Sequence, residues 1–244
     1  MMFSKKPILI VGGNGFIGSH LQDELEDEKL EILDLKRGRD VRDGISGRYR
    51  TIVFLAADMA RDVSSFYYNR KLYEALDEYM QRYPRTHVIY TSSAAVYPDS
   101  EEKHSEKSLV QPVNWYGKSK LLGEAYVQQY FKHTILRLSN VYGSGGKGAY
   151  NQFTEGKTTI YGDGNDVRDY VPVDIVAVVI AEAIHRWWKF QGITNVSSGE
   201  GTTTNSLFEQ HGTGKAQHVK ARKGDVHCSI LDNSKLQRKI RLQW

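Results

Sequence analysis

A tyrosine and a lysine in the middle of the chain have the spacing of a proton-transfer pair. Tyr116 and Lys120 form a Y-x-x-x-K pattern, which places both side chains on one face of a helix, one turn apart. An ammonium near a phenol lowers the pKa of the tyrosine toward the working pH, so that the phenol can exchange a proton. Ser93 follows an apolar run that ends near Thr91, where its hydroxyl is placed to hold a substrate oxygen. These three residues predict a catalytic site.

Spacing alone does not identify the pair, because the chain has 15 tyrosines and Tyr67 and Lys71 repeat the pattern. The order of the residues along the chain separates the two pairs. Tyr116 comes after the strand end that carries Ser93, whereas Tyr67 comes before it, in a segment with the pattern of a packing helix. We therefore assign catalysis to Tyr116 and Lys120, and packing to the other pair.

The first apolar run leads into a glycine pattern suited to phosphate binding. Gly12, Gly15 and Gly18 have G-x-x-G-x-x-G spacing between a predicted strand and a predicted helix. Such glycines permit a tight turn, a close approach of the backbone to a pyrophosphate and tight packing of the helix on the strand. The helix N-terminus then offers free N–H groups to the phosphates. The pattern predicts a dinucleotide cofactor.

The acid that ends the second apolar run indicates which dinucleotide is bound. Asp34 stands about 20 residues into the motif, where a carboxylate holds the adenosine ribose. A carboxylate repels a 2′-phosphate, so NAD is favoured. Lys36 and Arg37 follow directly and would accommodate that phosphate, which leaves NADP open.

The alternation of short apolar runs with longer helical patterns predicts an α/β fold: a Rossmann-type, doubly wound parallel sheet with a small, discontinuous C-terminal substrate lobe. The predicted strands are 8–11, 30–33, 51–55, 86–91, 134–138 and 193–196, and the predicted helices are 16–26, 64–83, 116–131 and 173–187. We assign 1–143 and 172–196 to the cofactor domain, and 144–171 and 197–244 to the lobe.

Composition restricts the class of protein. The 244 residues are 40% hydrophobic and 25% charged, and their apolar runs are too short to span a membrane or to form a secretory signal. One cysteine, Cys228, leaves no internal disulfide and no cysteine-based metal site, so we predict a cytoplasmic protein without a metal. The net charge of +4 is spread among acids, which does not indicate a nucleic-acid partner.

Taken together, the motifs resemble those of the extended short-chain dehydrogenase/reductase family, in its group of NAD-dependent nucleotide-sugar epimerases and dehydratases. The matching stretches, collinear over nearly the whole chain, are VGGNGFIGSH (11–20), DVRD (40–43), LAA (55–57), TSSAAVY (91–97), YGKSK (116–120), LRLSNVYG (136–143), YGDG (161–164), RDYV (168–171) and RKGDV (222–226).

The resemblance implies a role for each matching residue. Tyr116 is the acid/base, Lys120 binds the nicotinamide ribose and lowers the tyrosine pKa, and Ser93 orients the substrate. The implied cofactor-binding residues are Gly12, Gly15, Phe16, Ile17, Gly18, Asp34, Asp40, Val41, Leu55, Ala56, Ala57, Tyr116 and Lys120. Within that set, Asp40 and Val41 meet the adenine edge, and Ala56 and Ala57 lie near the phosphates. The implied substrate-binding residues are Ser93, Asn140, Arg168 and Arg222; the last three hold the diphosphate, for which guanidinium groups are well matched.

Two departures from the family pattern refine the prediction. Ala94 and Ala95 stand where the sugar 4,6-dehydratases have an Asp-Glu pair, which argues against water elimination. The stretch 143–160 is shorter than usual in the family, so the enclosure of the sugar and base is reduced.

The resulting prediction is a nucleotide-sugar epimerase, acting at C4 through a transient keto-sugar. Two alternatives remain: an NAD(P)H-dependent reductase of a nucleotide keto-sugar, and a non-catalytic NAD(P)-binding protein with a trimmed lobe. The family implies a homodimer that pairs helices 64–83 and 116–131. Their tyrosines suit an interface: Tyr67, Tyr68, Tyr73, Tyr79, Tyr126 and Tyr130.

Overall fold

The computed structural model describes residues 6–221 and 224–241. Its strands are β1 Ile8–Val11, β2 Leu30–Leu33, β3 Thr51–Phe54, β4 His87–Ser93, β5 His133–Leu138, β6 Asn140–Tyr142, β7 Thr159–Tyr161, β8 Val167–Pro172, β9 Gly192–Val196, β10 Gly201–Thr203, β11 Gln217–Val219 and β12 Cys228–Ser229. Its helices are α1 Phe16–Glu24, α2 Val63–Arg82, α3 Trp115–Gln128, α4 Ala149–Thr154, α5 Val173–His185, α6 Trp187–Phe190, α7 Thr204–His211 and α8 Ser234–Lys239.

Six parallel strands form the main sheet in the order β2-β1-β3-β4-β5-β9. Strands buried on both faces are apolar at successive positions, and β1 shows the consequence. Its Ile8 and Ile10 join the core on the side of α1 and α5, while Leu9 and Val11 join the core on the side of α2 and α3. The predicted fold class, a doubly wound parallel sheet, is confirmed.

The order of the strands places the site. After β2 the chain returns to pair β3 on the other side of β1, so the connections leave β1 and β3 toward opposite faces. A crevice opens at such a switch point beyond the carboxyl ends of the strands. The glycine loop follows β1 there, and residues 55–57 follow β3.

The remaining strands build a smaller region from the second half of the chain. Strand β8 pairs with β6, β10 and β12, and β7 pairs with β11. A satellite core of Phe153, Ile160, Leu207 and Phe208 lies beneath α4 and α7.

The division into two parts stays a proposal, with two differences from the predicted boundaries. β6 belongs to the small sheet although its residues precede 144. Leu236 of α8 packs into the main core although it follows 197. Among the described helices, none has the length and apolar character needed to cross a bilayer.

Only some of the tyrosines of α2 and α3 are exposed enough to take part in the predicted interface. Tyr73 and Tyr79 are fully buried in the protein's own core, where Tyr73 contacts Tyr90 and the Tyr79 hydroxyl accepts a hydrogen bond from the Tyr49 N–H. These two rings therefore cannot face a partner, and the expectation was wrong for them. Tyr67 is 57% exposed.

Candidate active site

The glycine loop brings backbone, rather than side chains, to the mouth of the crevice. Gly12 has φ +84°, and a Cβ there would lie 2.9 Å from the Ala56 nitrogen. A Cβ on Gly18 would lie 2.4 Å from the Gly13 oxygen, so helix and loop pack without room for a side chain. Helix α1 begins directly after Gly15, which leaves its first N–H groups facing the crevice. This cradle fits a dinucleotide pyrophosphate.

Asp34 lies at the end of β2 beside this loop, where it is buried. Its carboxylate accepts hydrogen bonds from the backbone N–H groups of Asn14 and Lys36, each at 2.8 Å. The Lys36 ammonium donates a hydrogen bond to the backbone carbonyl oxygen of Asn14 at 2.8 Å. Because the Lys36 ammonium is already hydrogen-bonded to Asn14, the Asp34 carboxylate is the main charged group at the ribose end of the crevice. The geometry therefore supports NAD over NADP.

Replacing Asp34 by alanine is expected to weaken NAD binding by roughly tenfold to a hundredfold, the scale of a lost charge-assisted hydrogen bond. The preference for NAD over NADP should shrink with it, because the repulsion of the 2′-phosphate is also lost. Calorimetric titration of the apo-protein with each dinucleotide measures both effects. Asp43→Ala, a surface change in the same segment, should leave both affinities unaltered. Equal NAD and NADP affinities for the unmodified protein would contradict the assignment.

The catalytic residues predicted from the sequence meet where β4 ends against α3. Asn114 caps α3 by accepting the Gly117 N–H at 2.9 Å, which sets the first turn and the direction of Tyr116. Ser93 ends β4, and its side chain lies close enough to the Tyr116 phenol to lower the pKa of that group. Lys120 lies one turn further along α3, 3% exposed, with its ammonium 5.8 Å from the centre of the Tyr116 ring. The structure thus brings all three side chains together.

The charges around this pair differ from the predicted arrangement. Burial raises the pKa of Tyr116, while the Ser93 side chain and the positive charge of Arg61 act in the opposite direction. Burial lowers the pKa of Lys120 to about 8, against the charge of Glu124, which raises it. The Lys120 ammonium donates a hydrogen bond to the backbone carbonyl oxygen of Thr91 at 2.8 Å. The effect of Lys120 on the pKa of Tyr116 stays a prediction. A cation that does lower the Tyr116 pKa in this structure is Arg61.

Sequence reasoning missed the ion pair behind Lys120. The Arg137 guanidinium donates to both oxygens of Glu124, at 2.8 Å and 2.7 Å, and both side chains are buried. The Ser92 hydroxyl donates to Glu124 at 2.5 Å, and Arg137 also donates to the Tyr97 hydroxyl at 2.8 Å. Two signals pointed to this pair: Glu124 stands one turn after Lys120, and Arg137 interrupts an apolar strand.

A second ion pair, also missed, crosses the mouth of the site. Arg61, in the loop after β3, pairs with Asp225 in the segment that precedes β12. Both side chains line the same cleft as Tyr116. The contact ties the cofactor side of the cleft to the substrate side, and it keeps the Arg61 cation near the phenol.

One cleft of about 1120 Å³ contains the predicted site. Its lining includes every predicted site residue that the structure describes: Gly12, Gly15, Phe16, Ile17, Gly18, Asp34, Asp40, Val41, Leu55, Ala56, Ala57, Ser93, Tyr116, Lys120, Asn140 and Arg168. Arg222 lies outside the described residues. Tyr67 and Lys71 are not part of the described lining, which separates them from the catalytic pair.

The substrate side of the cleft carries the predicted diphosphate ligands. The Arg168 guanidinium donates to the oxygens of Val226 and His227, at 2.6 Å and 3.2 Å, and these bonds hold it along β8. Asn140 opens β6, where it pairs with Tyr170 of β8. Within the described ranges, no group of three or more His, Cys, Asp or Glu residues is arranged to hold a metal ion.

Comparison with known proteins gives consistent results over nearly the whole chain. The profile of the NAD dependent epimerase/dehydratase family matches residues 8–189. A relative named "Putative UDP-glucose 4-epimerase", from Methanocaldococcus jannaschii, is 28% identical over 94% of this chain and 91% of its own length.

Two solved structures extend the comparison to the fold. The UDP-glucose 4-epimerase of Thermus thermophilus, in complex with NAD, is similar with a TM-score of 0.81 and 26% identity, over 95% of this chain and 92% of its own. The UDP-N-acetylglucosamine 4-epimerase of Methanobrevibacter ruminantium, in complex with UDP-N-acetylmuramic acid, has the same fold, with a TM-score of 0.84 and 24% identity over 98% and 93% of the two chains.

Proposed function

Because the chain belongs to the NAD-dependent epimerase/dehydratase family, we propose that it inverts a sugar hydroxyl, at C4, on a nucleotide-activated hexose. Family membership confirms the predicted resemblance and NAD as the cofactor. UDP-hexoses are the first substrates to test, because the relatives named above act on UDP-sugars.

The observation that carries this proposal is the single cleft shared by the cofactor cradle and the Ser93, Tyr116 and Lys120 side chains. A dinucleotide held by the glycine loop would reach from Asp34 toward Tyr116, and Arg168 lines the same cleft, where it would meet a diphosphate. Ala94 and Ala95 line the cleft directly after Ser93, which supports epimerisation over dehydration.

In this mechanism the protein moves one proton and holds the sugar. The Ser93 hydroxyl holds the reacting sugar oxygen, and Tyr116, as its phenolate, takes the proton of that oxygen and becomes a phenol as the carbon becomes a ketone. The glycine loop and Asp34 would hold NAD, which would supply the hydride acceptor and donor for that carbon. After the keto-sugar turns over, Tyr116 returns the proton to the oxygen. Arg168, Asn140 and Arg222 hold the diphosphate while the sugar rotates.

Cofactor retention tests the proposal, since an epimerase regenerates its cofactor within each turnover, whereas a reductase releases it. We expect the purified protein to carry close to one NAD per chain, which heat denaturation releases for chromatographic measurement. Purified protein that contains no NAD, yet consumes NADPH with a nucleotide keto-sugar, would favour the reductase instead.

We further propose that the protein is a cytoplasmic homodimer that pairs α2 and α3. Support comes from an exposed aromatic cluster at the start of these helices: Tyr67 and Trp115 are 57% and 38% exposed, and both contact Phe66. Aromatic rings of this kind anchor interfaces.

Light scattering should therefore give about twice the chain mass of 27.8 kDa. Tyr67→Asp should shift the protein toward the monomer, because it places a charge in the aromatic cluster that dimerisation would bury. Trp188→Asp, at a ring 61% exposed on α6, is the control and should leave the mass unchanged. A monomer at all concentrations of the unmodified protein would refute the pairing.

A further inference from the structure

A second cavity, of about 460 Å³, lies at the edge of the main sheet opposite the active site. Six cations line it: Lys6, Arg48, Arg50, Arg82, Arg85 and Lys132. They come from four segments that are far apart in the sequence, so the charge is not clustered along the chain.

The fold gathers these cations for a topological reason. Lys6, Arg50 and Lys132 directly precede or lie next to the first residues of β1, β3 and β5, whose amino ends meet at one edge of a parallel sheet. Helix α2 runs back against the strands and ends at Arg82, so it delivers further basic residues to the same edge. The catalytic residues follow the carboxyl ends of the strands, so the two cavities are separated by the length of the sheet.

The positive charge of this cavity is almost uncompensated. Among the described residues, only Arg50 of the six has a carboxylate partner, Glu28 at 2.7 Å. The Arg50 Nε is buried and has no hydrogen-bond partner within the described part of the chain. Arg48 lies over the ring of Tyr83, 5.5 Å from its centre, and so packs against an aromatic wall rather than an acid.

The cations of the cavity also affect a buried histidine next to it. His87, the first residue of β4, is 3% exposed. Its pKa is lowered to about 3, chiefly by burial and further by the charges of Lys132, His133 and Arg50. The positive charge at this edge therefore adds to burial in disfavouring the protonated histidine.

We propose that this cavity is a binding site for a small polyphosphorylated anion with at least two phosphate groups. Five uncompensated cations exceed what a single phosphate neutralises, and guanidinium groups match phosphate oxygens in pairs. The volume is that of a small-molecule pocket. A concave cavity between strand ends and a helix end suits a compact anion better than a lipid bilayer or a nucleic-acid backbone, which need an extended surface.

The test is calorimetric titration of the NAD-loaded protein with inorganic tripolyphosphate near physiological salt, where screening suppresses non-specific attraction. NAD fills the pyrophosphate cradle of the active site, whereas the proposed diphosphate site at Arg168 stays open, so the variants identify which site the titration measures. We expect saturable binding that depends on the cations of the second cavity. The double variant Arg48→Gln, Arg85→Gln should weaken it by roughly a hundredfold, since two charge-assisted contacts are lost.

A matched control removes the same net charge elsewhere. Lys107→Gln with Lys215→Gln, at two exposed lysines outside the cavity, should retain binding, and both double variants should keep the turnover of the unmodified protein. The proposal is overturned if tripolyphosphate does not bind saturably, or if the control loses affinity as much as the cavity variant. It is overturned equally if the cavity variant retains full affinity, or if only anionic vesicles or RNA bind.

Discussion

Replacing Tyr116 by phenylalanine is expected to lower kcat by about 10²-fold or more, the usual contribution of a positioned acid/base. The substitution removes one hydroxyl and keeps the ring that packs beside Lys120, so fold and NAD affinity should be unchanged. Because the phenol oxygen is the only atom lost, the fall in rate reports proton transfer at that atom.

The control is the second Y-x-x-x-K pair. Tyr67→Phe removes the same atom from a ring that is 57% exposed on α2, away from the cleft, so its turnover should be close to that of the unmodified protein. Steady-state kinetics with circular dichroism and NAD titration of both variants makes the comparison. A Tyr67 variant without activity beside an active Tyr116 variant would move the site to α2.

Replacing Glu124 by alanine is expected to lower the free energy of unfolding by about 3–5 kcal/mol, the cost of leaving one partner of a buried ion pair uncompensated. The Arg137 guanidinium would then keep only the Tyr97 hydroxyl as a described side-chain partner. Urea unfolding measures the loss, with a check that the slope of the transition is unchanged.

An exposed ion pair supplies the matched control for Glu124. Glu74→Ala removes the partner of Arg70 on the surface of α2 and should cost no more than about 0.5 kcal/mol. Equal losses for the two variants would contradict the structural importance of the buried pair.

The conservative change Glu124→Gln tests the link to Lys120. Glu124 raises the Lys120 pKa against burial, so its neutralisation should lower that pKa below about 8. The ammonium would then be lost at lower pH, and the alkaline limb of the kcat/KM profile should shift toward neutrality. An unshifted profile would limit Glu124 to a structural role.

The residues predicted for the cofactor side lie together in the cleft because local patterns determine their placement. The β1 run, the glycines after it and Asp34 lie within 30 residues of one another, and their roles depend on one strand–turn–helix unit. Strands β1 and β2 were predicted to the residue. Helix α5 was predicted to continue to 187, but it ends at His185, and Trp187–Phe190 forms a separate turn of helix.

The missed features depend on contacts between distant segments. Arg61 and Asp225 are 164 positions apart, and nothing local marks either as a partner of the other. Arg137 was visible as a charge within an apolar strand, but its partner depends on how α3 packs against β4 and β5. The six cations at the far edge gather because parallel strands share their amino ends and α2 ends beside them, a property of topology that composition does not reveal.

Inversion at a sugar carbon through a keto-sugar, with hydride returned from NAD, is tested by proton NMR in D₂O. The NAD-loaded protein is incubated with UDP-glucose and, separately, with UDP-N-acetylglucosamine, without added cofactor. We expect the C4 epimer of one of them to accumulate to equilibrium and to retain protium at C4, because the hydride does not exchange with solvent. Deuterium at C4 of the product, or the absence of an epimer from both sugars, would contradict it.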